Sequence, residues 1–417
     1  MFRGLPLLLD EKEARRPASS PQLRCRARCC LLLHLLDESK LPNKESLLSR
    51  ESVEVPDHSA CTSRPGGSIV VAEQNSKVVR PYDNRRSIVS KRVYCVLRVL
   101  ILVGTSSGFA LSAFAQAPTG PGRHLIEVIS SVDGTSQPSY LVLPPNYPPD
   151  RGPTPIVVSL HSWSWGVEQR REELEKAVGD RGWLYLFPDF RGRNDDPEAC
   201  GSEVAKQDVI DALDWVVDQY EVDEGRVYVT GISGGGFMTL AMVAAYPERW
   251  AAASAWVPLS DMEAWYDFHA GDDYGEMTRQ CIGGDPREDA SAKEELKRRS
   301  PVHMLGNARD VALDISAGRF DGHDGAPIPV WHSLEAFNQI ARALGDPVVT
   351  PQEIAELSRH EPRLDNPAPS DLIVDESFGR DIFLRRRAGR ARVTVFDGGH
   401  EGIASATVAW FEAHPGR

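Results

Sequence analysis

The chain has 417 residues, 41% of them aliphatic or aromatic and 26% charged, with a net charge of −13. That composition excludes a fibrous protein and a polytopic membrane protein, and the length allows two or three domains. Residues 1–117 carry 18 Lys and Arg against 11 Asp and Glu and the remainder 29 against 49, so the acidic body excludes nucleic acid, whose phosphates need facing positive charge.

Residues 1–84 mix Ser, Arg, Pro and Glu with no sustained helical or strand period, which predicts a disordered leader or a spurious upstream extension of the reading frame. Cys25, Cys29 and Cys30 lack a second ligand pair at fixed spacing, so no metal site is expected there. Residues 85–117 have the anatomy of a secretory signal peptide. Arg85, Arg86, Lys91 and Arg92 precede the apolar run Val93–Val103, interrupted only by Arg98, and Ala113-Phe114-Ala115 supplies an A-x-A cleavage site. The run is short for a membrane span. The expected start lies near Val89 and the expected mature N-terminus at Gln116 or shortly after. A secreted or periplasmic protein follows, touching a membrane only through an uncleaved signal segment. Cys200 and Cys281 then remain, an even count that suits an oxidising compartment and predicts a disulfide between them.

Residues 118–417 alternate between strand and helix periods. His124–Ile129 and Ser139–Leu143 read as strands, and Pro155–Leu160 as a strand buried on both faces. Glu168–Val178 reads as a helix, Trp183–Phe187 as a strand, Val204–Tyr220 as an amphipathic helix and Arg226–Thr230 as a strand. Gly235–Tyr246 is an apolar helix, Ala251–Val257 and Val311–Ile315 are strands, Trp331–Leu344 is a helix and Arg392–Phe396 is the last strand. This order predicts one α/β domain with a doubly wound, mostly parallel sheet and helices on both faces. Insertions are expected at about 261–299, over one face, and at 346–390, outside the sheet.

Gly231-Ile232-Ser233-Gly234-Gly235 fits G-x-S-x-G between a strand and a helix, the setting of the nucleophile in the α/β-hydrolase fold. A serine needs a base to take its proton and an acid to orient that base. This fold demands the order Ser, acid, His. His400 follows the last strand and is the expected base. Asp321 and Asp324 both follow strand Val311–Ile315, and Asp321 is preferred for its short distance beyond it. His323 between them has no further ligand nearby and reads as solvated. An oxyanion hole needs two backbone N–H groups. Gly234 offers one, and Ser162 or Trp163, after the third strand, the other. Trp163 and Trp165 either line a substrate pocket or pack the loop.

The segment Gly231–Thr239 resembles the G-x-S-x-G-G-x-M-T nucleophile motif of the prolyl oligopeptidase family. The resemblance takes in Asp189–Gly192, Gln207–Trp215, Ser300-Pro301, Gly318-x-x-Asp321 and Gly399-His400, and spans roughly residues 124–415. It implies a Ser233–Asp321–His400 triad. Two departures bear on specificity. The region before the domain is too short and polar for that family's β-propeller, and the acid loop Asp321–Pro329 is longer than the family's usual pattern. The chain is similar as well to single-domain esterases that act on acylated carbohydrates. The expectation is a serine hydrolase without metal or cofactor, acting on a small ester, an acylated carbohydrate or a peptide, with esters favoured over peptides. A binding module that had lost its chemistry is the competing class.

Overall fold

The computed structural model describes residues 116–147 and 152–416. The leader and the signal-like segment, with Cys25, Cys29 and Cys30, lie outside the described residues.

Nine strands form one sheet: β1 (Gly122–Ile129), β2 (Ser136–Leu143), β3 (Thr154–Leu160), β4 (Leu184–Pro188), β5 (Val222–Ile232), β6 (Ala252–Trp256), β7 (Ala312–Gly318), β8 (Ile382–Ala388) and β9 (Ala391–Phe396). Their spatial order is β1-β2-β4-β3-β5-β6-β7-β9-β8. The strands β4, β3, β5, β6, β7 and β9 run parallel, while β1, β2 and β8 are antiparallel to their neighbours. Every residue of β3, β4, β6, β7 and β9 is buried, as a parallel sheet covered on both faces requires.

The covering helices follow the pleat. Val157, Tyr185 and Tyr228 point to one face, where they meet Val178 of α1 (Glu172–Gly179) and Val408 and Phe411 of a helix at Ala404–Glu412. Ile156, Val158, Leu186 and Val229 point the other way. There they meet α2 (Glu203–Gln219), α3 (Gly234–Ala245) and a helix at Trp331–Leu344. Successive strand residues serve opposite faces, so one continuous apolar run fills two cores. Three helices occupy 261–299: α4 (Met262–His269), α5 (Asp273–Ile282) and α6 (Ala290–Arg299).

Two sequence expectations need correction. The helix expected from Glu168 begins at Glu172, because Gly166–Gln169 form a turn in which the Gln169 N–H donates to the Gly166 carbonyl at 3.1 Å. The segment 346–390 does not stay outside the sheet. Its end is β8, an edge strand paired antiparallel with β9, preceded by a short helix at Pro351–Leu357. The Arg385-Arg386-Arg387 run hides the strand pattern. An edge accommodates it because Arg385 meets Asp375 at 2.7 Å and Arg386 meets Glu353 at 2.7 Å.

The strand order reverses between β3 and β5: the chain steps from β3 to β4 on one side, then crosses to β5 on the other. The crevice at the carboxyl ends of these two strands is where an open α/β sheet binds ligands.

Candidate active site

Ser233 sits in that crevice, between the end of β5 and the first turn of α3. Its backbone has φ 64° and ψ −122°, a left-handed conformation costly for a residue with a side chain. Neighbouring bonds hold it there: its N–H donates to the Trp256 carbonyl and its own carbonyl accepts from Phe237, both at 2.9 Å. Strand and helix close on each other so tightly that a Cβ on Gly231 would overlap the backbone of Gly235, and one on Gly235 would overlap the Leu160 carbonyl. The small residues of the motif are therefore a packing requirement.

His400 follows β9, and its Nδ1 lies 2.8 Å from Asp321 Oδ2. Asp321 is buried, and its other carboxylate oxygen accepts from the backbone N–H groups of Gly322 at 3.0 Å and Ile328 at 3.1 Å. The two loops are fastened together. Arg319 N–H donates to Phe396 O at 2.9 Å and Phe320 N–H to Gly398 O at 3.0 Å, while a Cβ on Gly318 would overlap the Gly399 carbonyl. Asp324, the alternative acid, is exposed at a left-handed position (φ 51°) and makes no contact with His400 among the described residues. A buried carboxylate bonded to Nδ1 leaves Nε2 as the ring nitrogen available to a nucleophile.

Of the two candidates for a second oxyanion donor, the Ser162 N–H is already engaged. It donates to Gln169 Oε1 at 2.8 Å, and the Ser162 hydroxyl bridges Arg171 Nη2 at 2.5 Å and the Ile232 carbonyl at 3.0 Å. The Trp163 N–H has no acceptor among the described residues, and the Trp163 backbone lies against Gly234 closely enough that a Cβ there would overlap it. The Trp163 side chain does not line a pocket. It is buried against Phe237 and Trp265, with ring centroids at 5.8 and 5.9 Å. Trp165 is half exposed and free to meet a ligand.

Three polar residues that sequence reasoning missed hold this loop. Gln169 engages Ser162. Asn194 donates to the Trp163 carbonyl through its N–H at 2.9 Å and its side chain at 3.2 Å. Asp189 accepts from the Val167 N–H at 3.0 Å. No local spacing marks Gln169 or Asn194, and Asp189 lies in the resembling stretch Asp189–Gly192 with no role attached to it, since each acts on a segment distant in sequence or around a turn. Cys200 and Cys281 are brought together, with sulfurs in bonding contact and Cα atoms 6.2 Å apart, inside the range a disulfide needs. Cys281 lies on α5, and the Cys200 N–H donates to Asn194 Oδ1 at 2.7 Å. The bridge thus ties the inserted helices to the residue that supports Trp163.

Burial pushes the Asp189 carboxyl up to about 6, against the opposing bond from Val167. Burial also pushes His161 down to about 4, so the imidazole is neutral at pH 7 and adds no charge across the 3.7 Å to Asp189. The folded state therefore holds the Asp189 proton more tightly than the unfolded chain, whose carboxyl titrates near 3.8. That contribution to stability is complete below about pH 3.8 and is lost as pH rises through about 6. Asp189→Asn keeps an acceptor without the charge. It is expected to raise Tm by about 2–4 °C at pH 7.5 and to change it little at pH 4. Thermal melts at the two pH values check this, and a Tm lowered at pH 7.5 would contradict it.

A cavity of about 320 Å³ opens beside His400, walled by Arg171, Ile232, Trp256, Glu401, Ile403 and Thr407. Ser233 is not part of its wall.

Parts of the chain are similar to known proteins. Residues 173–350, which include Ser233 and Asp321, match the model of the prolyl oligopeptidase family. Dipeptidyl aminopeptidase BIII of Pseudoxanthomonas mexicana is 27% identical over 222 residues, 47% of this chain and 31% of that protein. The probable acetylxylan esterase A of Neosartorya fischeri is 27% identical over 173 residues, 36% of this chain and 46% of that protein. The chain therefore spans less than half the length of either relative. Among solved structures, acylaminoacyl peptidase of Pyrococcus horikoshii is similar with a TM-score of 0.45 and 18% identity, over 54% of this chain and 36% of that one. Over residues 173–350 the chain is thus similar to the prolyl oligopeptidase family, and its own sheet order and strand-to-helix turn at Ser233 are those of an α/β-hydrolase fold.

Proposed function

We propose that the protein cleaves carboxylic esters through an acyl-enzyme, with Ser233 as nucleophile, His400 as base and Asp321 as the acid that orients it. The observation that carries this reading is the Asp321–His400 bond, on a loop whose Gly402 packs against Ile232, the residue before the strained Ser233, where the backbones of Gly234 and Trp163 meet. His400 takes the Ser233 proton as Oγ attacks the carbonyl carbon. The oxyanion that forms is held by the two N–H groups, at the N-terminus of α3, whose dipole favours negative charge. His400 returns the proton to the leaving oxygen. Water, deprotonated by the same histidine, then releases the acid and frees the serine.

Esters are favoured over peptides on two grounds. The acetylxylan esterase relative shares as high an identity as the aminopeptidase, and a larger fraction of its length is matched. Trp165 presents an exposed aromatic face on the loop that supplies an oxyanion N–H, a surface suited to an acylated sugar or an aromatic acyl group. Comparing kcat/KM for short acyl esters and acetylated oligosaccharides with that for a prolyl-peptide reporter tests the preference. The esters are expected to exceed the peptide by at least about tenfold, or about 1.4 kcal/mol of transition-state stabilisation. A peptide preference would return the protein to the peptidases. We propose export of the mature chain as well, which N-terminal mass spectrometry on protein from native cells would test.

A further inference from the structure

We infer that His269, on the inserted helix α4, is a positioning residue for the triad acid, acting through the Pro327–Ile328 peptide group. This inference rests on the proposed roles of Asp321 and His400.

His269 is buried at the end of α4, and both of its ring nitrogens face acceptors. Nδ1 lies 2.6 Å from Asp272 Oδ2 and Nε2 lies 2.8 Å from the Pro327 carbonyl oxygen. A neutral imidazole has one N–H and satisfies one acceptor, and the imidazolium satisfies both. Asp272 is itself fixed: its other oxygen caps α5 by accepting from the N–H groups of Tyr274 at 2.9 Å and Gly275 at 3.3 Å. Burial raises the Asp272 carboxyl, and the bonds from His269 and these N–H groups outweigh it, leaving the group below its ordinary value. The ring is held from its sides by Trp265, Phe268 and Tyr274, with centroids 4.0, 4.8 and 5.0 Å away. Tyr274 and His332 also lie near the ring, and burial drives His332 down to about 3, so it brings no charge.

The Pro327 carbonyl and the Ile328 N–H belong to one planar peptide. The carbonyl accepts from His269, and the N–H donates to Asp321 Oδ1 at 3.1 Å. The unbroken sequence of bonds runs Asp272, His269, peptide 327–328, Asp321, His400. It crosses from the insertion to the acid loop, residues 322–329, in which Ile328 is the one buried side chain. His269 therefore does two things to Asp321. It polarises the N–H that Asp321 accepts, and it stops the peptide from rotating away. Polarisation along a chain of bonds amounts to about 10–30% of one bond. A misplacement of about 1 Å can cost a factor of 10² in rate. Orientation is the dominant effect.

His269→Phe keeps the aromatic packing and deletes both bonds. It is expected to lower kcat about tenfold with KM changed less than about twofold, since His269 is buried and offers no surface to a ligand. It should also move the acid limb of the kcat/KM–pH profile down by about half a unit or more, as a loosened Asp321 stabilises the His400 imidazolium less. His269→Gln, whose amide can still donate to the Pro327 carbonyl, should recover most of the rate. Asp272→Asn keeps the α5 cap while removing the charge that Nδ1 faces, and should shift the limb in the same direction by less. Should His269→Phe not fold, the Gln and Asn variants carry the test. A purely structural His269 would lower Tm and leave the pH profile in place, and that result overturns the inference. It is separable from failure of the mechanism itself: Ser233→Ala without turnover, alongside His269→Phe with an unchanged profile, rejects only this bridge.

Discussion

Ser233→Ala is expected to lower kcat by about 10⁵- to 10⁶-fold while leaving the melting curve intact, and His400→Ala to do nearly as much. The two losses should not add, because a nucleophile without its base and a base without its nucleophile are equally idle. The fold should survive the first change, since the described hydrogen bonds at this position come from Ser233's backbone, to Trp256 and from Phe237, rather than from its hydroxyl. Removing the hydroxyl leaves the strained backbone at φ 64° in place, which alanine tolerates no worse than serine. The acid gives a sharper comparison. Asp321→Asn should cost about 10⁴-fold by presenting the wrong hydrogen-bonding partner to His400 Nδ1. Asp324→Asn, three residues on at an exposed turn, should change kcat less than about twofold, as surface substitutions do. Steady-state kinetics on an acyl ester, with labelling by an organophosphonate, decide all four. Wild-type turnover in Ser233→Ala would remove the serine from the mechanism.

Loss of the Cys200–Cys281 bridge is the second large effect expected. The two cysteines are 81 positions apart, and the chain-entropy relation for a loop of that length gives about 4–5 kcal/mol of stabilisation. For a domain of this size that corresponds to a fall in Tm of about 10–15 °C on reduction or in Cys281→Ser. Calorimetry with and without reductant measures it, and the reductant should add nothing further in the variant. Activity should fail before global unfolding. The Cys200 N–H holds the Asn194 side chain, and Asn194 holds the Trp163 carbonyl, so a slackened bridge loosens the proposed oxyanion donor. Peptide mapping of unreduced protein that recovers both cysteines as free thiols would rule the bridge out.

Much of this architecture was legible in the sequence because the physics is local. A strand covered on both faces must be apolar throughout, so Pro155–Leu160 and Arg392–Phe396 announce themselves. A serine between a strand and an apolar helix, with glycines two places either side, has few other reasons to exist. The failures share a cause. β8 carries three successive arginines that only Asp375, Glu353 and neighbouring groups make tolerable, and those partners are invisible until the chain has folded. The choice between Ser162 and Trp163 turned on whether a glutamine seven positions away claimed one N–H. Trp163 was a candidate for the pocket by its size, yet Phe237 and Trp265 close over its ring and leave its backbone to face the site. The helix at Ala404–Glu412 went unnoticed because nine residues are too few to establish a period.

The position of β8 has a consequence for how the molecule comes apart. Without it, β9 would be the outermost strand, and the loop bearing His400 would begin where a sheet first frays. With β8 outside it, β9 is paired on both sides, and thermal opening at that margin consumes an arginine-rich strand that carries no chemistry. Arg387, exposed on this strand, makes the margin a poorer template for a strand from another molecule, since bringing two such edges together sets like charges against each other. A sheet edge that would invite aggregation is turned into a sacrificial border, and His400, the proposed base, lies one strand inside it.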